Sequence, residues 1–308
     1  MSNAIRTGFD TSTYNVLMKE GYLKKLFDDT QRAAIVRHTM FYKKETDKDF
    51  WVLKQQMAGL DGWTELVESQ NIPSQLPLLG SQKKIEKRRF GTGFKMTDKM
   101  LKYNKRGLWD RWAKDLRKVM EESWDIELHV PFNSPTSTSL TCGTGFDSKA
   151  LGATDHSGLP AGSNTYDNLL SAALSFSALE TMRYYFKTFK DSRGRLMGKT
   201  PTSIVIEPSL WPLAKEIMGS DYKPHETSNT DNIFKNYLKV EENERLTSPT
   251  TWFGLARDED YDICVYVDFP PDFITKDAPD SSRDRIVTSQ MYGGYGWGSA
   301  AGCYVGNT

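Results

Sequence analysis

Cysteine is scarce in this sequence of 308 residues. Its three cysteines, Cys142, Cys264 and Cys303, are odd in number and lack the Cys-x-x-Cys spacing of zinc or redox motifs. We therefore expect free thiols in a reducing compartment. Long apolar runs are also missing, since none approaches the roughly 20 residues that span a bilayer. With no apolar signal-peptide segment in its first eight residues, the sequence favours a protein made and used in a cytosol.

An excess of one charge is missing too. Forty basic residues balance forty acidic ones, so no overall attraction to nucleic acid or to an anionic membrane is expected. Hydrophobic residues make up only 38% of the chain, while aromatic ones are abundant, with 8 Trp, 14 Tyr and 15 Phe. Aromatic side chains anchor many protein interfaces, but an aromatic-rich core has the same composition. The length suits one large domain or two modest ones.

A complete nucleotide-binding motif is absent. Residues 194–200 read Gly-x-x-x-Gly-Lys-Thr, one residue short of a phosphate-binding loop. They follow a helical pattern and precede Pro201 and a strand, whereas a phosphate-binding loop needs the strand before it and the helix after it. We predict that this segment only connects two elements.

Signatures of other catalytic sites are equally incomplete. The four histidines are scattered and show no metal-ligand spacing, and Asp155-His156 is the one suggestive dipeptide. A hydrogen bond that stabilises its loop is the favoured interpretation, and a hydrolase that uses Asp155 and His156 stays the alternative. We therefore predict a protein that is not an enzyme, with no catalytic, cofactor-binding or metal-binding residue.

Hydrophobic periodicity predicts a mixture of helices and strands. Thr97 or Asp98 would cap a helix running to about Ser123, and a second helix would run from about Tyr166 to Phe189. Between them, residues 133–164 are rich in Ser, Thr and Gly and predict a loop. The remaining predictions are a buried strand, a helix opened by Pro208 and three further strands: residues 203–206, 208–218, 252–256, 263–269 and 290–298.

The first third of the chain predicts an arm and a hairpin. Residues 1–49 mix short amphipathic pieces with charge, which favours an arm ordered by another surface over a packed terminal helix. Two apolar clusters follow, at residues 50–53 and 63–67. Residues 83–96 end in an alternation of Phe and Met with Lys and Gly, which predicts a long strand of a protruding hairpin.

A basic run lies on the predicted hairpin. Three interpretations of it remain open: contact with nucleic-acid phosphates, contact with an acidic surface of a neighbouring subunit, and a strand face that only meets water. The run consists of Lys83, Lys84, Lys87, Arg88 and Arg89.

Several short segments, taken in order, resemble the major capsid proteins of tailed bacteriophages, especially the Mu-like major head subunits. The similarity extends over roughly residues 84–308, and the order of the segments makes it specific. The segments are Arg89–Thr97, Ala153–Ser157, Gly162–Asn164, Lys190–Gly194, Thr202–Pro208, Leu210–Ala214, Asn229–Asn232, Thr251–Phe253 and Tyr292-Gly293.

This resemblance implies the Hong Kong 97-type capsid fold, an α+β architecture. It implies an N-terminal arm at residues 1–49 and an extended loop at residues 50–97. A peripheral domain would comprise residues 98–164 and 257–308, with its long spine helix at about 98–123. An axial domain would comprise residues 165–256.

The resemblance also implies a function. A major capsid protein of this kind assembles with copies of itself, as pentamers and hexamers, into an icosahedral shell enclosing double-stranded DNA. The implied partners are a portal protein, a scaffolding protein, a decoration protein and, without sequence specificity, the packaged DNA. The implied location is the virion, assembled in the bacterial host cytoplasm, and the basic run becomes an inter-subunit contact. An encapsulin-like compartment shell is the alternative on the same fold.

Overall fold

The computed structural model describes most of the chain as a mixture of helices and strands. The described residues are 20–29, 36–57, 60, 62, 65–68, 70–72, 74, 79–97, 103, 107–157, 165–191, 194–224, 230–277 and 284–307. Much of the predicted arm, residues 1–19 and 30–35, lies outside them. Within the described residues, no helix is both long and apolar enough to cross a bilayer.

Four α-helices and thirteen strands are defined within the described residues. The helices are α1 (Glu20–Asp29), α2 (Gly107–Asn133), α3 (Phe176–Thr188) and α4 (Trp211–Gly219). The strands of the first half are β1 (Lys43–Glu45), β2 (Trp51–Met57), β3 (Leu79–Glu86), β4 (Arg88–Met96), β5 (His156–Ser157) and β6 (Thr165–Tyr166). The strands of the second half are β7 (Leu169–Leu170), β8 (Ser203–Ile206), β9 (Lys239–Glu242), β10 (Trp252–Leu255), β11 (Ile263–Asp277), β12 (Arg285–Trp297) and β13 (Cys303–Gly306).

The chain divides into two compact units, each made of three sequence segments. The first unit comprises residues 1–36, 88–127 and 267–293, and the second comprises residues 37–87, 128–266 and 294–308.

The first unit contains strand β4, paired antiparallel with β12 from Arg88 opposite Gly293 to Met96 opposite Arg285. Alternate side chains of a strand point to opposite faces, so Phe94 and Met96 share one face. That face meets a core formed by residues of α1, α2, β11 and β12: Phe27, Ala113, Leu116, Phe273 and Val287.

The second unit contains a five-stranded sheet in the order β7, β13, β10, β8, β9. Every residue of β8, β10 and β13 is buried, because elements cover both faces of the sheet. Helix α3 packs closely at Gly254, where an added Cβ would lie 2.1 Å from the Met182 Sδ atom. Glycine at this position therefore allows the helix to approach the sheet.

The predicted strands in the C-terminal half are confirmed. Strand β8 occupies residues 203–206, and Pro208 opens a short 3₁₀ turn that leads into α4. Strand β10 matches the prediction for residues 252–256, and β11 extends the predicted residues 263–269 as far as Asp277. Of the tail predicted at residues 290–298, residues 290–297 belong to β12.

The predicted helix boundaries are partly wrong. Helix α2 runs ten residues past the predicted end at Ser123 and includes Pro131 near its C-terminus. Buried Trp124, Leu128 and Phe132 continue the apolar spacing, and a proline this close to the end removes only one helical hydrogen bond. Residues 98–100, which would hold the predicted start, lie outside the described residues.

Helix α3 begins ten residues after the predicted start at Tyr166. Tyr166 belongs to β6, and Leu169 and Leu170 form β7, which pairs in parallel with β13. Ser175 caps the helix, because its Oγ accepts a hydrogen bond from the Ala178 N–H at 3.2 Å. Leu169 and Leu170 fit the apolar spacing of either a strand or a helix, and they form a strand here because they pair with β13.

Candidate subunit interface on the hairpin

The predicted hairpin exists, but residues 83–96 are not one long strand. Strands β2 and β3 form a two-stranded antiparallel sheet with Trp51 opposite Glu86 and Lys54 opposite Lys83. Lys87 ends this pairing, and the following strand β4 pairs with β12 instead. The prediction of a continuous strand was therefore wrong at Lys87.

The two faces of the hairpin differ in burial. On the inner face, Val52 and Ile85 pack against Cys264 and Tyr266 of β11. On the outer face, Trp51 is 43% exposed and Leu53 is 47% exposed. Strand alternation produces this division, since residues 51 and 53 point away from residue 52.

Other large apolar residues of the same segment are exposed as well. Soluble proteins rarely expose contiguous apolar patches unless these bind a partner. The large apolar residues exposed between residues 50 and 79, which we call the hairpin surface, are Phe50, Trp51, Leu53, Met57, Leu60, Leu66, Val67, Ile72 and Leu79. The apolar cluster at residues 50–53 was visible in the sequence and indicates this surface. The sequence analysis nevertheless assigned the inter-subunit contact to the basic run.

Two residues of the basic run point into the protein. Lys83 Nζ donates to the Cys142 carbonyl at 2.9 Å, and burial lowers the pKa of this lysine. Lys87 is only 3% exposed, and its Nζ donates to the carbonyls of Asp47 and Asp49 at 2.6 Å each. These two cations hold neighbouring backbone in place.

The other three basic residues lie nearer to solvent. Lys84 pairs with Glu86 at 2.8 Å, and its ammonium lies 5.7 Å from the centre of the Trp51 ring. The hydrogen bond and charge of Lys84 lower the pKa of Glu86.

Arg88 and Arg89 are held by partners of the first unit. Arg88 pairs with Glu127 at 2.7 Å, and Arg89 donates to the Gln290 side-chain oxygen at 2.5 Å. The basic run is therefore divided between buried and exposed positions.

The Asp155-His156 dipeptide does not form a catalytic pair. Asp155 is exposed and pairs with Lys149 at 2.6 Å, while the buried His156 ring contacts the Asp147 carboxylate at 2.6 Å and stacks on Tyr166. Burial alone would raise the pKa of Asp147, but the hydrogen bond and charge of His156 leave it below its usual value. The contact with Asp147 agrees with the predicted loop-stabilising hydrogen bond.

The incomplete phosphate-binding motif connects two elements, and its lysine, Lys199, forms an ion pair. Gly194 and Gly198 adopt positive φ angles of 78° and 60°, which glycine tolerates in turns. Lys199 is buried, and its ammonium meets the Asp258 carboxylate at 2.8 Å. The lysine thus already has an anionic partner within the protein. Among the described residues, no cluster of three or more His, Cys, Asp or Glu side chains is arranged to hold a metal ion.

Comparison with known proteins gives one family and many similar folds. The family model described as phage capsid protein matches residues 81–306. No curated protein sequence matches the chain.

Solved structures resemble the chain at very low sequence identity. The capsid structure of cyanophage P-SCSP1u has a TM-score of 0.59 and 8% identity, with 89% of each chain covered. A structure from Mycobacterium phage Patience has a TM-score of 0.57 and 8% identity, covering 98% of this chain and 89% of that one. A virus-like particle from Pyrococcus furiosus has a TM-score of 0.52 and 8% identity, covering 92% and 98%. At such identities the similarity concerns the fold.

Proposed function

The chain belongs to the phage capsid protein family, and on that premise we propose that the hairpin surface joins neighbouring copies of the chain in the shell. The protein is a phage major capsid protein with the Hong Kong 97-type fold, a structural component of the virion that assembles with itself. The family match favours this role over the encapsulin-like shell and over a hydrolase at Asp155 and His156.

The observation that carries the proposal is the exposed apolar outer face of β2 and β3. Burying Trp51, Leu53 and Met57 against a second subunit would remove apolar area from water at about 25 cal/mol per Å². Aromatic residues at the centre of an interface often supply most of its binding energy. Each contact is repeated around a closed shell, so many modest interfaces combine into a stable particle.

Exposed basic residues would add an electrostatic attraction to the proposed subunit contact. We assign the inter-subunit role to Lys84 and Arg89, since both are exposed and their internal partners are not buried. The exposed ion pair of Lys84 with Glu86 contributes little stability within a subunit, and the partner of Arg89 is an uncharged glutamine. Replacing these contacts with acidic groups of a neighbour therefore costs little. Lys83, Lys87 and Arg88 then position the hairpin and the start of β4 rather than meet the neighbour.

We extend the proposal to the rest of the chain. Residues 1–49 would act as the arm, 50–97 as the extended loop, 98–164 and 257–308 as the peripheral domain, and 165–256 as the axial domain. Pentamers and hexamers would form an icosahedral shell around double-stranded DNA. Portal, scaffolding and decoration proteins would complete the particle, in a bacterial host cytoplasm.

The test replaces outer-face residues and measures assembly. Trp51→Ser combined with Leu53→Ser should abolish shells seen by negative-stain microscopy and sedimentation, with the subunit still folded by circular dichroism. Val119→Ser, which changes an exposed apolar residue of helix α2, is the matched control and should assemble normally. Lys84→Glu combined with Arg89→Glu should weaken assembly most at low salt. Normal shells from the Trp51/Leu53 double variant would overturn the proposal.

A further inference from the structure

A lysine and a cysteine meet where the hairpin packs on strand β11. Lys54 Nζ lies 3.1 Å from Cys264 Sγ and also pairs with the Asp262 carboxylate. A second carboxylate, Glu45, has an oxygen 3.8 Å from the same Nζ and accepts a hydrogen bond from the Tyr266 hydroxyl at 2.6 Å. An amine, a thiol and two carboxylates thus converge at one point.

The resting charge states of the cluster follow from its surroundings. Burial lowers the pKa of Lys54, but the charge and hydrogen bond of Asp262, together with Cys264, leave it above its usual value, so the side chain rests as an ammonium. Burial raises the pKa of Cys264 to about 11, which keeps the sulfur a thiol near neutral pH. The two carboxylates can accept a proton from the ammonium when the amine reacts.

A route for a small oxidant reaches this cluster. Lys54, Glu45 and Asp262 line a groove with a volume of about 950 Å³. Cys264 is fully buried and does not itself line the groove, but its sulfur lies 3.1 Å from the lysine nitrogen, which does. A hydroperoxide in the groove therefore meets the lysine head group that contacts the sulfur, and the reaction requires this head group to move aside.

We propose that Lys54 and Cys264 form a modification site at which hydrogen peroxide joins the two side chains through a sulfur–nitrogen bond. The Cys264 thiol gives its proton to the Glu45 carboxylate, to which it is hydrogen-bonded, as the sulfur attacks one peroxide oxygen. The O–O bond breaks, the released hydroxide takes that proton, and the products are a sulfenic acid and water. Asp262 takes a proton from the Lys54 ammonium, and the freed amine attacks the sulfur. The S–O bond breaks, and the hydroxide takes the proton held by Asp262 and becomes a second water. The nitrogen then loses its remaining extra proton through Asp262 to the solvent of the groove.

The two steps balance. The cysteine loses two electrons and the peroxide gains them. Thiol, ammonium and hydrogen peroxide become a sulfenamide, two waters and one proton, which is released to solvent. The neighbouring amine intercepts the sulfenic acid before further oxidation, because it is already in contact with the sulfur.

A covalent Lys54–Cys264 bond would fix the hairpin to the body of the second unit. It would tie strand β2 of the hairpin to strand β11, across 210 residues of sequence. The non-covalent anchors at this place are the small apolar cluster around Val52 and Ile85 and the ion pairs of Lys54. Thiols reduce sulfur–nitrogen bonds, so a reducing cytosol keeps the site open and an oxidising medium closes it. This inference does not depend on what the outer face of the hairpin binds.

Mass spectrometry of the full-length protein tests the site. After treatment with hydrogen peroxide, the peptides holding Lys54 and Cys264 should appear joined and two hydrogens lighter than their sum. Dithiothreitol should restore the separate peptides.

Two variants and a matched control separate this chemistry from general oxidation. Lys54→Arg keeps the positive charge and Cys264→Ser keeps the size, and the joined peptide should be lost in both. Cys303→Ser should retain it, because Cys303 is equally buried and, within the described residues, takes no hydrogen bond from a lysine.

Two results in the wild-type protein would overturn the proposal, and neither depends on the folding of a variant. One is a sulfinic acid at Cys264 beside an unmodified Lys54. The other is an unchanged Cys264 at peroxide concentrations that fully oxidise the partly exposed Cys142.

Discussion

The five-stranded sheet and the β2–β3 hairpin contain similar residues but bury them differently. Strands β8 and β10 bury both faces within the subunit, including Phe253, whose ring lies 5.4 Å from those of Phe41 and Phe132. The hairpin buries only Val52 and Ile85 well and leaves Trp51 and Leu53 on its surface. The sheet is thus stabilised by its own chain, whereas the hairpin leaves apolar area exposed, which we propose a second subunit covers.

The largest expected effect separates these two regions directly. Phe253→Ala should lower the free energy of unfolding of the subunit by about 3–5 kcal/mol, because it opens a cavity in a closely packed aromatic cluster. Trp51→Ala should change it by less than about 0.5 kcal/mol, as surface substitutions usually do. Urea denaturation of unassembled subunits measures both. If Trp51→Ala destabilised the subunit as much as Phe253→Ala, the outer face would belong to the subunit core.

The same contrast explains what could be predicted from sequence. Strand β8 and the turn at Pro208 follow from local signals, since a short apolar run and an N-terminal proline act within a few residues. The start of α3 was missed because Leu169 and Leu170 fit a helix stripe until β13 pairs with them. Long-range pairing is not encoded in the local pattern.

The candidate site, too, has features that local sequence predicts and features that depend on distant contacts. The apolar cluster at residues 50–53 and the hairpin itself were visible in the sequence. The burial of Lys87 was not, because it depends on the carbonyls of Asp47 and Asp49, which the fold brings to the lysine. The inter-subunit role of Lys84 and Arg89 stays a prediction.

A middle-sized effect is expected at the base of the hairpin. Lys87→Met keeps the volume but leaves two carbonyls without their donor, which should cost about 1–3 kcal/mol of unfolding free energy. Lys84→Met is the matched control, and its exposed ion pair with Glu86 should contribute almost nothing. Urea midpoints of the two variants give the comparison. Equal midpoints would mean that the base of the hairpin is as loosely held as its outer face.

The smallest expected effect is a pH dependence located in the body of the second unit. The folded pKa of Asp147 lies below its unfolded value because of His156, despite the opposing effect of burial. The stabilisation is therefore complete above the unfolded pKa of about 3.9 and is lost as the pH falls through the lower folded pKa. Asp147→Asn should flatten the decline in stability below that pH, measured by urea midpoints at a series of acidic pH values.

Glu86 on the hairpin is the control for this pH dependence. Its pKa is also lowered, by the hydrogen bond and charge of Lys84, but both side chains are exposed and solvent screens their interaction. Glu86→Gln should therefore leave the acid decline of the subunit unchanged. If Glu86→Gln flattened the acid decline in stability and Asp147→Asn did not, the acid-sensitive stability would reside in the hairpin and not in the His156–Asp147 pair. The division between a self-stabilised body and a partner-dependent hairpin would then fail.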